Sequence, residues 1–197
     1  MKITPIHIEK EISIDDDLSK IILDSTDVCD GDILVIAQKI ISKQEGRLVE
    51  LSTVTPSLLS EGISSQYNKD PRIVELVLSE SKRIVRMKSG LIITETNTGF
   101  ICANSGIDSS NVRGEDIVAL LPDDSDASAR KILDKLKTMS GCQDLGVIIT
   151  DTFGRAWREG HVNFSIGNAG FDPFIDYKDT VDAVGKTLKV TTIAVAD

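Results

Sequence analysis

The sequence is poor in cysteine, histidine and aromatic residues. Its 197 residues include three cysteines, two histidines and one tryptophan, and aromatic side chains make up 4% of the chain. The cysteines are scattered without a Cys-x-x-Cys spacing, which disfavours a disulfide framework and a structural zinc site and favours a reducing compartment. No run approaches ~18 apolar residues, and the N-terminus has no apolar signal segment. These absences predict a cytoplasmic protein without a membrane span.

Positive charge and the common nucleotide motifs are also scarce. The chain has 22 Lys and Arg against 31 Asp and Glu, a formal net charge of -9, and no basic run. This balance disfavours binding to nucleic acid or to anionic membranes. Neither G-x-G-x-x-G nor G-x-x-x-x-G-K-[ST] occurs, so the sequence indicates neither a Rossmann site nor a Walker P-loop. No Ser/His/Asp elbow is recognisable, which disfavours covalent acyl-enzyme chemistry.

Short β-branched runs alternate irregularly with helical patterns along the chain. The length suits one domain, or two small ones around a shared sheet, with a sizeable core. The patterns predict buried strands at 32–37 and 146–150, a hairpin of 91–96 with 100–103, a late strand at 187–196, a loop-rich region around Gly167, Gly170 and Pro173, and helices from Pro71 to about Met87 and from Asp126 to about Gly141. We expect an α+β (mixed α/β) fold of mixed, largely antiparallel sheets with flanking helices.

Two apolar runs each deliver an aspartate into a small, polar, glycine-containing loop. Asp108 lies in the segment 100–111, and Asp151 lies in the segment 147–160. Carboxylates at strand ends often share a site for hard cations and phosphates, so the pair suggests a metal-and-phosphate site. Each aspartate is equally compatible with a turn that it caps through its own backbone.

Two clusters of positive charge accompany these acids. Arg155 and Arg158 flank Trp157, and forked guanidinium groups beside a planar ring suit a flat anionic ligand, although a solvated basic loop is the alternative. Lys39 and Lys43 follow the first predicted strand directly. They fit either a phosphate grip or a solvated helix start, and the sequence leaves both open.

Four segments form a further pattern, namely residues 37–47, 102–112, 120–129 and 148–158. In order and spacing they resemble the signature blocks of the coenzyme F-420-0:L-glutamate ligase family, the GTP-dependent γ-glutamyl ligases that extend a deazaflavin coenzyme. The resemblance covers essentially the whole chain. It implies a γ-glutamyl ligase-like fold, an intertwined homodimer, and residues 1–197 as a single unit. Relatives continue for about 50 residues beyond the matching end, so this unit is expected to lack that C-terminal part.

The resemblance also implies roles for individual residues. Asp108 and Asp151 match metal aspartates and Thr152 adjoins them, as ligands of Mg²⁺ or Mn²⁺, with K⁺ as a further candidate ion. The positions implied to contact the nucleotide are Gln38, Lys39, Lys43 and Asn111, together with Glu9, Lys10, Glu11 and Ile12, which lack the usual Gly-Ile/Leu-Pro character. Lys43, Asp108 and Asp151 are the implied catalytic residues. Arg155 and Arg158 are our candidates for binding the acceptor or glutamate.

The implied reaction joins L-glutamate by an amide bond to the lactyl carboxylate of coenzyme F-420-0, with further γ-linked glutamates as an extension. A carboxylate is a poor electrophile, so GTP would first convert it to an acyl phosphate. Phosphoryl transfer depends on positioning and on neutralising charge, which agrees with the lack of a nucleophilic triad. Two alternatives stay open, a catalytically impaired nucleotide- or deazaflavin-binding homologue and a ligase of the same fold that acts on another anionic acceptor.

Overall fold

A computed structural model of the protein describes residues 2–110, 114 and 116–197. In these residues the α-helices are α1 (Leu18–Ser25), α2 (Gln38–Gln44), α3 (Leu58–Tyr67), α4 (Pro71–Ser79) and α5 (Ser125–Ser140). The strands are β1 (Asp32–Ala37), β2 (Leu48–Glu50), β3 (Ser81–Lys88), β4 (Leu91–Thr96), β5 (Ile101–Ala103), β6 (Ile117–Ala119), β7 (Leu145–Arg155), β8 (Arg158–Ala169), β9 (Phe174–Asp176) and β10 (Thr192–Ala194). Single 3₁₀ turns occupy Leu51–Thr53 and Asn104–Gly106.

The main sheet has the strand order β1-β7-β8. β1 runs parallel to β7, and β7 runs antiparallel to β8. Helix α5 packs across β7 and β8, and α1 packs against α5. The buried side chains between these elements form the largest core, which includes Leu18, Ile22, Ile41, Leu133, Leu136, Val147, Ile149 and Ile166. The main sheet is therefore stabilised by a packed layer of helices.

The other sheets are small and antiparallel. They have the orders β3-β4-β5, β2-β6 and β9-β10, and α3 and α4 cover part of the first of them over a second apolar cluster around Val74, Val77 and Ile92. The expected mixed α/β class with largely antiparallel sheets and flanking helices is confirmed. The family-specific fold and the homodimer stay predictions. Within residues 2–110, 114 and 116–197, no helix is both long and apolar enough to cross a bilayer.

Local signals at helix ends and turns predicted several boundaries well. Pro71 occupies the first turn of α4 behind the N-cap Asp70, whose side chain accepts a hydrogen bond from the Arg72 amide. α5 ends at Gly141 in the left-handed conformation. The hairpin of β4 and β5 is also present. These features depend on backbone conformations and capping bonds that a few adjacent residues determine.

The predicted helix from Pro71 to Met87 is wrong in its second half. Helix α4 ends at Ser79, and Ser81–Lys88 forms strand β3, which pairs with β4 through two irregularities in register. Ile84 and Met87 pack against the same apolar cluster as α4. Because apolar residues at mixed spacing satisfy a helix and a bulged strand alike, pairing with β4 decided the outcome.

The two strands predicted to be buried are present, and each differs from expectation in one respect. β1 is buried on one face only, since Ile33 and Val35 are 54% and 64% exposed. The predicted strand 146–150 continues to Arg155 in β7. Gly167 lies inside β8, in register with Ile149, and not in a loop. The start of α5 passes so close that a Cβ at Gly167 would stand 2.4 Å from the Ser125 carbonyl carbon, which explains the glycine. The predicted strand at 187–196 is reduced to β10.

Candidate functional site

Asp151 lies within strand β7 and not in a loop beyond it. Its main chain is in register with Phe164 of β8, and the next residue, Thr152, is in register with Asn163. Directly opposite residues of an antiparallel pair present their side chains on the same face, so Asp151 shares a face with Phe164. The prediction of a polar loop at this position is wrong, because pairing with β8 extends the strand over polar residues. The carboxylate is consequently held by a rigid element.

Asp108 follows a tight turn that is fixed by buried contacts. Asn104, Ser105 and Gly106 all have positive φ, of 51°, 53° and 70°. The Ser105 hydroxyl lies 2.9 Å from the Val77 carbonyl oxygen and 2.8 Å from Thr94 Oγ1. Non-glycine residues in this conformation store strain, which the surrounding structure must offset. Asp108 itself exchanges two main-chain hydrogen bonds with Ala119, at 3.0 and 2.8 Å.

Helix α2 begins directly after β1, beside the end of β7. Ala37 is in register with Thr150, and Gln38 is the first helical residue. Gln38 is 2% exposed, and its Oε1 accepts a hydrogen bond of 2.8 Å from the Ser42 hydroxyl. Lys39 and Lys43 are four residues apart on another face of the same helix. Because the face of α2 that carries Gln38 is buried, Lys39 and Lys43 share a different, more exposed face of the helix.

Lys39 connects this helix to Asp108. Its Nζ lies 2.8 Å from Asp108 Oδ2 and also donates to the carbonyl and hydroxyl oxygens of Ser110, at 3.0 and 2.9 Å. The Ser110 amide donates to Asp108 Oδ1 at 2.6 Å. Burial raises the pKa of Asp108, but Lys39 and Ser110 outweigh that effect and hold the pKa below its ordinary value. Asp108 is therefore ionised at neutral pH.

Asp151 has the opposite electrostatic character. Its pKa is raised, first by burial and then by the negative charge of Asp108, while the Thr152 amide, the Lys39 ammonium and the Gln38 side chain act in the lowering direction. The influence of Asp108, Lys39 and Gln38 on the pKa of Asp151 is consistent with these groups lying near one another. Two carboxylates with shifts in opposite directions are typical of functional sites.

The sequence matches the model of the F420-0:Gamma-glutamyl ligase family over residues 7–197. The chain belongs to this family. It is similar to proteins named Coenzyme F420:L-glutamate ligase from Methanopyrus kandleri (40% identity, covering 100% of this chain and 77% of the relative), Methanothermobacter thermautotrophicus (46%, 87% and 67%) and Methanocaldococcus jannaschii (41%, 85% and 66%). The resemblance seen in the signature segments is confirmed.

For this member of the F420-0:Gamma-glutamyl ligase family, the acids fit a divalent cation. Among the described residues 2–110, 114 and 116–197, no group of three or more His, Cys, Asp or Glu gathers in one place. Two carboxylates are nevertheless a sufficient protein contribution for Mg²⁺, which keeps several waters and takes further oxygens from substrate phosphates. The Lys39 ammonium beside Asp108 occupies a position where positive charge is favourable. The two acids and this charge arrangement carry the fit.

Thr152 and the N-terminal segment relate to the centre less directly. The Thr152 hydroxyl donates to Asn163 Oδ1 at 2.6 Å on the opposite face of the strand from Asp151, so only its main chain lies beside the acid. Glu11 forms an ion pair with Lys43, and Ile12 is buried in the main core. Glu11 thus lies beside α2, whereas the Lys10 ammonium pairs with Asp16. The contact of residues 9–12 with a nucleotide stays a prediction.

The structure does not bring the two arginines to the acids. Arg155 and Arg158 are paired at the tip of the β7–β8 hairpin, and Trp157, with φ of 58°, is 100% exposed. The Arg155 guanidinium donates to the carbonyl oxygens of Glu159 and Gly160, at 2.5 and 3.4 Å. The predicted role of both arginines in binding an anionic substrate stays a prediction that this geometry does not support.

Some contributors to the site were not identified from the sequence. Ser110 bonds to both Lys39 and Asp108, and Ser105 anchors the turn that precedes Asp108. A serine carries no distinguishing pattern, so only the tertiary contacts reveal these roles. Asn111, implied to contact the nucleotide, lies outside the described residues.

Proposed function

We propose that this chain joins L-glutamate by an amide bond to coenzyme F420-0 in a GTP-dependent reaction that passes through an acyl phosphate. The names of its family and of its relatives include the coenzyme and the amino acid. The observation that carries the proposal is the Lys39–Asp108 ion pair, together with the influence of Asp108, Lys39 and Gln38 on the pKa of Asp151. This arrangement suits phosphoryl transfer, in which charge spreads over several oxygens and must be neutralised.

The proposed reaction has two steps. The acceptor carboxylate attacks the γ-phosphorus of GTP, the bond to the bridging oxygen breaks, and GDP leaves. The amine of glutamate then attacks the acyl carbon, the bond to the phosphate oxygen breaks, and inorganic phosphate and a proton are released. Both steps require close, aligned reactants more than covalent help from the protein.

The residues of the chain divide this work between positioning and charge. Asp108 and Asp151 would hold Mg²⁺ or Mn²⁺, which supplies Lewis-acid neutralisation of phosphate oxygens when bound. Lys39 lowers the pKa of Asp108 and places a positive charge between α2 and this carboxylate. Lys43 is four residues further along α2 and is kept in place by Glu11. We assign the nucleotide phosphates to this lysine side of the centre.

A direct assay tests the proposal. The chain is incubated with GTP, Mg²⁺ or Mn²⁺, L-glutamate and coenzyme F420-0, and the coenzyme is analysed by mass spectrometry. We expect a product that carries one or more added glutamate residues, with one GDP formed for each amide. GTP consumption that depends on another carboxylate but not on F420-0 would replace the acceptor in the proposal.

The acyl phosphate is tested separately by trapping. Hydroxylamine in place of glutamate should convert the activated coenzyme to a hydroxamate, and this should occur only with GTP present. Amide formation without a trappable intermediate, under conditions in which hydroxylamine does not inhibit, would contradict this mechanism.

A further inference from the structure

A cavity of about 510 Å³ lies on the β8 side of the main sheet, lined in part by Phe164, the residue opposite Asp151. Its wall contains the half-buried rings of Phe100, Phe153 and Phe164 together with Phe174. The ring centroids of Phe100 and Phe153 are 6.3 Å apart, and those of Phe153 and Phe164 are 6.0 Å apart. The volume is typical of sites for small molecules, and tilted aromatic faces suit a planar ring.

Strand register connects the cavity to the candidate site. Phe164 is in register with Asp151 across the β7–β8 pair, and Phe153 lies two residues further along β7. These three side chains therefore project from the same face. Gln38 and Lys39 approach Asp151 from the other neighbouring strand, since α2 continues from β1. Asp151 thus lies between Lys39, which follows β1, and the aromatic ring of Phe164 on β8.

The charged residues that line the cavity indicate the kind of ligand group that can bind there. Asp126 and Asp197 line it, and no Lys, Arg or His does so among the described residues. The Asp126 Oδ1 accepts from the Asn168 amide at 2.8 Å, and the Asp197 Oδ1 accepts from the Ser165 amide at 2.9 Å. Carboxylates in these positions repel a triphosphate and the two carboxylates of glutamate. A planar ring without such charges is compatible with them.

The reaction geometry supplies an independent reason. In phosphoryl transfer the attacking and leaving oxygens are roughly in line on opposite sides of phosphorus. If the nucleotide phosphates lie against Lys39, the attacking acceptor must approach from the side opposite the lysines. The cavity adjoins β8, which lies on the other side of β7 from β1 and the helix α2 that follows it.

We propose that the cavity lined by Phe100, Phe153 and Phe164 binds the planar deazaflavin ring of the acceptor coenzyme, and so directs its carboxylate toward the centre between Asp108 and Asp151. This inference rests on the proposed function for the identity of the acceptor. It adds a binding site for the ring and assigns it to residues outside the acid cluster. Each ring contributes stacking area that is independent of GTP.

The test measures equilibrium binding of coenzyme F420-0 by calorimetry, without GTP or metal, so that it does not depend on catalysis. Phe164→Leu should weaken coenzyme binding about tenfold, within the range for loss of aromatic stacking. Phe100→Leu should act in the same direction. Phe164→Tyr keeps the aromatic face and should bind the coenzyme with an affinity close to that of wild type. This variant tests whether a substitution at position 164 by itself disrupts the fold.

Phe171→Leu is the matched control. Phe171 lies on the other face of the same sheet, where a Cβ at Gly146 would approach its ring to 2.9 Å, and it does not line the cavity. This variant should bind the coenzyme like wild type. GTP binding, measured with Mg²⁺ present, should be unchanged in all four variants.

The outcomes separate this inference from the proposed function. Coenzyme binding that is sensitive to Phe164→Leu in a protein that forms no amide would support the cavity and refute the ligase activity. Amide formation with coenzyme binding unaffected by Phe164→Leu and Phe100→Leu would support the activity and overturn the cavity. Weakened GTP binding with unchanged coenzyme binding would place the guanine ring there and also overturn it.

Discussion

The β7–β8 hairpin carries functional side-chain types at two levels, and their surroundings differ. At the first level, the pKa of Asp151 responds to Asp108, Lys39 and Gln38, which come from two other segments of the chain. At the second level, the tip, Arg155 bonds to carbonyl oxygens of its own hairpin and Trp157 is fully exposed. The two levels are four residues apart, or about 13 Å along a strand.

This difference shows what distinguishes a candidate site from a suggestive motif. The acid level is supported by the core beneath β7 and by a strained turn that is anchored through buried hydrogen bonds. The arginine level has the more conspicuous sequence, with two guanidinium groups around the only tryptophan. Convergence of several elements, and not the density of reactive residue types, marks the chemistry.

The largest expected effect is at the acids. Asp108→Asn and Asp151→Asn should each reduce ligation by at least about a hundredfold, because each removes a charge from a hard-cation site while keeping its shape, and even outer partners of metal ligands cost 10–100-fold. Steady-state amide formation at saturating Mn²⁺ measures this. Asp134→Asn, at an exposed position on α5, is the control and should be fully active. Wild-type turnover in either acid variant would remove that residue from the centre.

The lysines should have the next largest effect. Lys43→Ala should weaken GTP binding or phosphoryl transfer more than glutamate binding, and Lys39→Ala should lose more than Lys43→Ala because it also frees Asp108. A charged hydrogen bond contributes about 1.5–3 kcal/mol, which corresponds to roughly 10–100-fold. Separate KM values for GTP and glutamate make the comparison. A Lys43 variant with a defect only in the KM for glutamate would contradict this assignment.

A smaller effect is expected on stability, and its sign should differ between the acids. The raised pKa of Asp151 means that the folded state binds its proton more tightly than the unfolded chain. Stability is therefore lost as pH rises from the ordinary value of 3.8 through the raised folded value. Asp151→Asn removes this loss, so at neutral pH and in a chelator it should melt above wild type.

Asp108→Asn should instead melt at or below wild type under the same conditions, because it leaves Lys39 without its carboxylate partner. A difference of ~1 kcal/mol shifts Tm by roughly 2–4 °C in a domain of this size, which calorimetry resolves. Added Mn²⁺ should raise the Tm of wild type and not that of either variant. An equal Mn²⁺ shift in all three proteins would show that the ion binds elsewhere.

The smallest effect is expected at the hairpin tip. Arg158→Lys and Arg155→Lys should each change the affinity for F420-0 or glutamate by under ~0.5 kcal/mol, which is usual for surface substitutions. Titration of each variant with both substrates tests this. A loss of about 1–3 kcal/mol, the range for a charged hydrogen bond, would instead restore the sequence-based prediction that this tip binds an anion.

Several helix ends and one hairpin of this protein are determined by local sequence. The N-cap before Pro71, the left-handed end at Gly141 and the β4–β5 hairpin are decided by a few adjacent residues, whose conformational preferences are nearly independent of the rest. The signature segments also identified the family. They contain Asp108, Asp151 and Lys39, which were proposed from the sequence as metal- and nucleotide-binding residues.

Other features were decided only by tertiary structure. The strand from Ser81 to Lys88, the extension of β7 over Asp151 and the single buried face of β1 all depend on a partner strand or layer that is distant in sequence. The same holds for the contact of Lys39 with Asp108, 69 residues away, and for the opposite pKa shifts of the two acids. Burial and charge separation are properties of three-dimensional surroundings, so no local pattern of residues encodes them.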